Sequence, residues 1–479
     1  MSWSNEREQN AGVWSGLDQL ASLPDWLNAA TDPERVLRAL TLAIPELVSG
    51  ALTISARLKR GDWIGVYTLI FGVTQSSGPR VVVLRGTILP PDRLVPPGLT
   101  ADPPAFGTVG WRSYLPALRI AFEMEPPDAA LASLPILTDP DQARALLERS
   151  IRAAAPTYAG LRIEACVPTI MRYTPGSRCT ILYRLSYPPA RTRGHDWPEI
   201  VVAKTYKGGK GEHAYVGMRA LWESPLRHIG GVTLAEPLAF LPDLNVLVQG
   251  PIREEETLQQ TMESAARAHT PAARDALHGV VRQTAAGLAG LHRSALGIGP
   301  VRTWEMALAE VRSVADELAD AVPSIADVAA RLLAWLEARA AEHPADSRVT
   351  AHGTFRPGQV LISQGEIGFI DFDNWCQAEP ALDLSLFFRR TKDIVLGAQK
   401  GDAPDGESSR ATLLAMADTI CAIFLSEYER HAPVSRQRIA LWEALDLFKL
   451  VLHSWTKVKP ERLKNSLFAL ERHLRSLTL

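Results

Sequence analysis

Two aspartates near the end of residues 352–375 are the side chains best suited to chemistry. Asp371 follows the apolar run Gly368–Ile370, and Asp373 comes two residues later. Paired carboxylates at the end of a buried strand are costly unless a cation neutralises them, and Mg²⁺ prefers such hard oxygen ligands. Asp373 also fits a turn aspartate that hydrogen-bonds its own backbone.

A lysine at the end of an apolar strand is the second candidate. Lys204 closes the run EIVVAK. Transfer of a phosphoryl group from ATP requires a cation that holds the α- and β-phosphates and one or two Mg²⁺ ions. Lys204 could be that cation, and a solvated lysine at a strand end is the alternative. No phosphate-binding P-loop is present around it, because GGKGE at 208–212 has no Ser or Thr after its lysine.

A glycine-containing turn precedes this strand. Residues 173–178 include Gly176 and Ser177, whose backbone N–H groups could cover the nucleotide phosphates. A plain hairpin turn explains the same residues.

Five short motifs together resemble the family of aminoglycoside phosphotransferases, choline kinases and related small-molecule kinases. Their family pattern is HGDxHPxNxL, then a hairpin, then IDxxxxxxxxPxxDL. The matching residues here are His352-Gly353, Pro357-Gly358, Val360-Leu361, Ile370-Asp371 and Pro380–Asp383. The resemblance is specific over 352–386 and extends less firmly back to residue 161.

The resemblance implies a role for each matching residue. Lys204 would contact the nucleotide phosphates of ATP, and the backbone near Gln249 and Ile252 would hold the adenine. Asp371 would be the main Mg²⁺ ligand. Asp383 would brace the catalytic loop, although a helix N-cap also explains it.

Two further positions have less defined roles. His352 would buttress the loop. The glutamate that usually pairs with the lysine has two candidates, Glu212 and Glu223.

Three residues depart from the family pattern at its most chemical positions. Thr354 stands where the family has its aspartate base, Gln359 replaces the second metal-binding asparagine, and Arg356 replaces a frequent histidine. Loss of a positioned base typically costs about 10²–10⁴-fold in rate. Phosphoryl transfer depends mostly on positioning and charge neutralisation, and Arg356 could stabilise transferred charge, so activity need not be lost.

Three functions therefore remain open. The leading one is an atypical ATP-dependent phosphotransferase acting on a small-molecule hydroxyl. The second is a pseudokinase that binds a nucleotide or other ligand as a regulatory or scaffold module. The third uses the same cleft for another transfer, such as nucleotidylation.

The order of predicted elements indicates an α+β protein with a bilobal, protein-kinase-like fold and an extra N-terminal α+β domain. We expect domains at 1–155, 156–252 (a small β-rich lobe) and 253–479 (a large helical lobe). The strand-like runs 52–89 repeat the layout of the small lobe, with Arg85 where Lys204 falls. The N-terminal domain is therefore a candidate for a decayed duplicate lobe.

Composition limits the partners and the compartment. The 479 residues carry a net charge of −2, which argues against nucleic acid as the main partner. The sequence shows no signal peptide and no uncharged membrane-length run, so a cytoplasmic protein is expected. The four cysteines have no metal-ligand spacing and are expected to be buried thiols. A protein partner could bind the N-terminal domain, and the Arg- and Ala-rich composition is typical of GC-rich bacteria.

Overall fold

The structure is a computed structural model. It describes the chain except residues 1–15, 44–49, 72–79, 96–110, 125–130, 132, 175–177, 190–195, 227–230, 269, 399–406 and 478–479. Helices and antiparallel sheets are mixed along it, so the predicted α+β class is confirmed.

The first sheet has five antiparallel strands in the order β1-β2-β3-β5-β4. They are β1 (Gly50–Lys59), β2 (Asp62–Phe71), β3 (Arg80–Ile88), β4 (Arg112–Leu115) and β5 (Ile120–Met124). Helices α1 (Asp25–Thr31) and α2 (Pro33–Ala43) precede it. The first three strands were predicted from their β-branched and aromatic runs, whereas β4 and β5 are short and lie between proline-rich segments at 90–104 and 126–127, which hid them.

The second sheet has the order β6-β7-β8-β11-β10. Its strands are β6 (Ala165–Thr174), β7 (Arg178–Ser186), β8 (Ile200–Thr205), β10 (Pro237–Leu241) and β11 (Val246–Gln249). One face packs on helices α3 (Leu134–Thr138) and α4 (Pro140–Ala154) in a buried apolar cluster. The opposite face carries Lys204. Alternation along β8 explains this split, because Val201 and Ala203 point into the cluster and Lys204 points away from it.

A third sheet supports the candidate catalytic segment. Its order is β12-β14-β15-β9, from β9 (Val232–Leu234), β12 (Glu256–Thr257), β14 (Val360–Ser363) and β15 (Glu366–Phe369). The hairpin β14–β15 is the one that the sequence predicted within residues 352–375. A small ladder joins β13 (Val349–Ala351) to β16 (Cys376–Ala378).

The remaining described elements are mostly helices. They are α5 (Lys210–Glu223), α6 (Leu258–Ala268), α7 (Pro271–Arg293), α8 (Trp304–Ala321), α9 (Ser324–Glu342), α10 (Ala381–Gly397), α11 (Glu407–Glu429), α12 (Arg436–Thr456) and α13 (Pro460–Leu477). The last four of these helices lie within residues 253–479, the segment that the sequence predicts to be mainly helical. The four cysteines are buried and free, as expected.

The two five-stranded sheets share more than their strand order. Each follows a helix pair joined by Thr-Asp-Pro, at Thr31–Pro33 and at Thr138–Pro140. Each threonine hydroxyl donates to the carbonyl four residues back, at 2.9 Å and 2.8 Å, and each aspartate Oδ1 accepts a backbone N–H from the next helix.

A tyrosine on the second strand completes the parallel. Tyr67 Oη donates to the Ala30 carbonyl at 3.0 Å, and Tyr183 Oη donates to the Leu137 carbonyl at 2.8 Å. Both acceptors lie immediately before the shared threonine. The geometry has the layout that the predicted duplication requires.

The chain divides into two compact units that differ from the predicted domains. One contains residues 1–127, 304–342 and 444–479, and the other contains 128–303 and 343–443. Residues 128–155, predicted to be part of the N-terminal domain, contribute Leu137, Leu147 and Ile151 to the core of the second sheet. The predicted helical lobe 253–479 is shared between both units.

One described helix passes a test for membrane length and apolarity. Ser408–Glu429 has a mean hydropathy of 1.4 over its most apolar window. In the structure this helix, α11, packs against α7 and α10. Core helices of globular proteins have the same composition, so length and apolarity do not distinguish a membrane span from a core helix here.

Candidate active site

The ammonium of Lys204 and the carboxylate of Asp371 face each other directly. Lys204 Nζ lies 3.1 Å from Asp371 Oδ1 and 3.7 Å from Asp373 Oδ1. Lys204 is carried by β8 and the aspartates follow β15, so two sheets position the cluster. All three side chains are between 15% and 20% exposed, which leaves them reachable from solvent and weakly screened.

Asp371 is held on both of its oxygens. Gln359 Nε2 donates to Oδ2 at 2.9 Å, and Arg356 Nη2 lies 3.6 Å from the same atom. Burial alone would raise the pKa of Asp371, but the Lys204 ammonium and the Gln359 amide outweigh it and hold the pKa well below its ordinary value. The residue also has a φ of 74°, in the left-handed region that non-glycine residues rarely adopt. Such strain concentrates at functional sites.

Asp373 differs from Asp371 in its hydrogen-bond partner and in the direction of its pKa shift. Its Oδ1 accepts a hydrogen bond from Tyr206 Oη at 2.8 Å. Burial raises the pKa of Asp373, and the Lys204 ammonium offsets this only in part because Asp371 is charged beside it. The two carboxylates share one lysine, so a further cation would stabilise both in the charged form.

The loop before Asp371 is clamped by Asp383 at the start of α10. Asp383 Oδ2 accepts from His352 N at 2.6 Å, and Oδ1 accepts from Gly353 N at 2.9 Å and Phe355 N at 3.4 Å. His292 of α7 approaches the same carboxylate, with Nε2 3.2 Å from Oδ2. Burial would raise the pKa of Asp383, but these hydrogen bonds lower it. Asp383 therefore lies where the bracing role requires.

Glycine at 353 has a steric cause. Its φ is +80°, and a Cβ built there would lie 1.9 Å from the carbonyl oxygen of Asn374. The loop and the segment after Asp373 thus approach as closely as backbones can. His352, fully buried, places Nε2 3.0 Å from the Ile370 carbonyl, and burial lowers its pKa. A neutral imidazole that donates to a backbone carbonyl buttresses the loop.

The predicted metal ligands fit a divalent ion that prefers oxygen. Asp371, Asp373 and Gln359 lie together, and Gln359 Oε1 is buried without a hydrogen-bond partner among the described residues. Buried amide oxygens are normally satisfied, so this one is available as a ligand. No group of three or more His, Cys, Asp or Glu in the described part of the chain could hold a metal. The donor set is instead two carboxylates and one amide, which Mg²⁺ accepts together with water and phosphate oxygens.

Thr354 and Arg356 lie in the loop between β13 and β14. Thr354 is partly exposed and its hydroxyl makes no hydrogen bond within the described residues. Arg356 makes only the 3.6 Å ion pair with Asp371 in the same part of the chain. Neither side chain can act as a general base at neutral pH.

Besides Lys204, the structure describes Gln249 and Ile252 among the residues predicted to bind the nucleotide. Leu247 on β11 pairs with Lys204 on β8, and Gln249 ends β11 as a buried residue. The strand expected to hold the adenine, β11, therefore lies beside the lysine. Ile252 packs against Gly368 of β15. Gly176 and Ser177 lie outside the described residues.

Neither predicted glutamate pairs with the lysine. Glu223 binds Arg219 through Oε1 at 2.7 Å, and Glu212 is exposed. Helix α5 instead meets the site through His213, whose ring stacks on Trp375 with centroids 5.1 Å apart.

Trp375 is fixed further by two glycines that the sequence did not single out. A Cβ at Gly217 would lie 2.0 Å from its Nε1, and a Cβ at Gly299 would lie 2.7 Å from its Cζ3. The indole N–H donates to the His213 carbonyl at 2.9 Å. Trp375 is 1% exposed and therefore has a core role. In the sequence, the only indication of this packing was a tryptophan just after the two aspartates, because the two glycines lie far from it along the chain.

Comparison with known proteins gives one family. Residues 256–420, about a third of the chain, match the model of the phosphotransferase enzyme family. Lys204 lies outside the matched segment. No curated protein matches.

Several solved structures are similar at low identity. A glucosamine kinase in complex with glucosamine, ADP and inorganic phosphate is 15% identical, over 91% of this chain and 97% of that one, with a TM-score of 0.48. A choline/ethanolamine kinase family protein from Mesorhizobium loti is 13% identical, over 71% and 98%, with a TM-score of 0.43. A variant aminoglycoside 2'-phosphotransferase bound to GDP is 13% identical, over 70% and 98%, with a TM-score of 0.41.

The family match includes every catalytic-loop residue that carried the predicted resemblance, from His352 to Asp383. That resemblance is confirmed over residues 256–420, the segment that matches the phosphotransferase enzyme family.

Proposed function

We propose that this protein transfers a phosphoryl group from ATP to a small molecule. The observation that carries the proposal is the contact of Lys204 with Asp371, whose second oxygen is held by Gln359. Phosphoryl transfer from a nucleoside triphosphate uses a cation on the donor phosphates and a carboxylate that holds the metal ion, and Lys204 and Asp371 fit these two roles.

Each described residue of the site has a defined task in this proposal. Lys204 binds the donor phosphates, and Asp371, Asp373 and Gln359 hold Mg²⁺. The ion neutralises the charge that develops on the transferred group. Asp383 and His352 fix the loop, so that its residues are in place before the substrate binds.

The test is transfer from labelled Mg-ATP by the full chain, with a panel of amino sugars, amino alcohols, sugars and small acids. We expect Asp371→Ala to abolish transfer, because it removes the main metal ligand. Asp243→Ala, which changes an exposed turn aspartate, should retain it. Absence of transfer and of ATP hydrolysis with every acceptor would end the proposal.

A pseudokinase is the second candidate, and Thr354 favours it. In this case Mg-ATP or another ligand binds and no group is transferred. Binding of Mg-ATP would raise the Tm while turnover stays absent, and Thr354→Asp would create activity on hydroxyl acceptors. Turnover by the wild-type chain excludes this candidate.

A further inference from the structure

Arg356 lies in the cleft, and three further guanidinium groups lie within electrostatic reach of it. Arg356 lies beside Asp371, which Lys204 and Gln359 already engage. Burial lowers the pKa of Arg356, the Asp371 carboxylate opposes this shift, and the guanidiniums of Arg390, Arg178 and Arg172 add to the lowering. Arginine nevertheless stays charged in proteins. This concentration of positive charge favours the binding of an anion between the guanidiniums.

The strand register shows where two of these arginines lie. Arg172 on β6 pairs with Thr180 on β7, and Thr180 pairs with Lys204 on β8. Paired residues share a face of the sheet, and Arg178 shares it because it lies two residues before Thr180. Arg172 and Arg178 make no ion pair in the described part of the chain. Arg172 and Arg178 therefore lie on the same sheet face as Lys204, the side of the cleft where the proposal places the phosphates of ATP.

The other two arginines lie on the opposite side of the reacting group. Arg356 follows Thr354 in the catalytic loop. Arg390 lies seven residues after Asp383 on α10, and Phe387 between them stacks on Phe355 with centroids 5.9 Å apart. Positions i, i+4 and i+7 share one helix face, so Arg390 faces the same loop. Its Nη1 contacts Asp393, whereas its Nε is buried with no hydrogen-bond partner among the described residues.

This arrangement explains the missing base. A hydroxyl acceptor must lose a proton during transfer, and a positioned carboxylate usually assists. A carboxylate or phosphate acceptor is already ionised and needs no base. It needs cations that overcome its repulsion from the donor phosphates, and planar guanidiniums bind such oxyanions through two hydrogen bonds.

We infer that the acceptor is an oxyanion, a carboxylate or a phosphate group, held by Arg356 and Arg390. An acceptor oxygen attacks the γ-phosphorus, and a new O–P bond forms while the bond to the β,γ-bridging oxygen breaks. ADP leaves with that electron pair, and no proton passes to the protein. The product is an acyl phosphate or a phosphoanhydride. This inference rests on the proposed phosphotransferase function and narrows its acceptor from a hydroxyl to an oxyanion.

The experiment compares three acceptor panels with wild-type protein and Mg-ATP. Carboxylates are assayed with hydroxylamine, which traps an acyl phosphate as a hydroxamate. Phosphate compounds are assayed by ³¹P NMR for a new anhydride, and neutral polyols and amino sugars are assayed for phosphate esters. We expect transfer to one anionic panel and none to the neutral one. Transfer only to neutral acceptors would overturn the inference and leave the proposed function standing, whereas no transfer at all would overturn both.

Charge-removing variants test the assigned arginines. Arg390→Gln should raise the acceptor KM on the order of tenfold or more and leave the KM for ATP unchanged, because a hydrogen bond to a charged partner is lost. Arg356→Gln, at a more exposed position, gives the same readout should the first variant fold poorly. Arg219→Gln is the matched control, since that arginine pairs with Glu223 on α5. An unchanged acceptor KM in both cleft variants would contradict the assignment.

A substitution of Thr354 distinguishes an oxyanion acceptor from a site that has merely lost its catalytic base. Thr354→Asp places a carboxylate beside the acceptor, and we expect it to reduce transfer to the anionic substrate through like-charge repulsion. An increase in that transfer would mean that the wild-type site lacks a base it needs.

Discussion

At the scale of single residues, the site depends on a few positions where one atom decides the geometry. Asp371 takes a left-handed backbone conformation while both of its oxygens are engaged. Gly353 takes another because a carbonyl oxygen leaves no room for a Cβ. Side chains of the right type are therefore insufficient, since the loop must also close on the strand that follows it.

Two glycines with nearly equal φ separate steric exclusion from backbone strain. Gly353→Ala brings a Cβ against the Asn374 carbonyl, and we expect a loss of about 3 kcal/mol from overpacking and strain together. Gly365→Ala, at φ +81° with open space around it, should lose only about 1 kcal/mol. Urea denaturation of both variants measures the difference. Equal losses would show that the contact with Asn374 does not constrain the loop.

At the scale of elements, the same small architecture is built twice. Both sheets follow a Thr-Asp-Pro helix junction, and both anchor that junction with a tyrosine from the second strand. Only the second sheet carries a lysine that meets an aspartate. In the first sheet, Arg85 of β3 instead lies 3.9 Å from Glu123 of β5. The predicted duplication stays a prediction, with these shared bonds as its support.

The shared tyrosine bonds give a paired prediction. Tyr67→Phe and Tyr183→Phe should each reduce stability by about 1–2 kcal/mol, because each leaves a buried carbonyl without its donor. Tyr114→Phe is the control, since that hydroxyl makes no hydrogen bond within the described chain. Hydrogen exchange, read separately for the two sheets, assigns each loss to its own unit. A cost at only one of the two tyrosines would argue that the junctions are not equivalent.

At the scale of the whole molecule, three distant stretches of sequence form one unit. Trp455 of α12 donates its indole N–H to the Leu20 carbonyl at 2.9 Å, and Arg60 N donates to Glu317 of α8 at 2.9 Å. Residues 304–342 and 444–479 thus share their contacts with the N-terminal 127 residues. The N-terminal region is therefore not a separable appendage.

This organisation predicts the result of truncation. A chain of residues 128–479 keeps the family-matched segment, yet it should aggregate or lose helical content, because α8, α9 and α13 lose the partner that covers their apolar faces. Size-exclusion chromatography and far-ultraviolet circular dichroism measure this. A monodisperse, Mg-ATP-binding truncation would show that residues 304–342 and 444–479 do not need the N-terminal 127 residues in order to fold.

The sequence by itself determined the class of fold, most element positions and the residues of the catalytic segment. Periodicity, turn residues and motif order are local properties, so Lys204, Asp371 and Asp383 could be identified without coordinates. The tertiary structure alone decided which charges meet. In the structure Lys204 pairs with Asp371 and Asp373 instead of the expected glutamate, and His213 stacks on Trp375.

Tertiary structure also decided that Arg356 of the loop lies within electrostatic reach of Arg172 and Arg178 of the second sheet, and that the N-terminal region shares its unit with two later segments. Their approach depends on strand register and helix packing over separations of a hundred residues or more, and no local pattern records such distances.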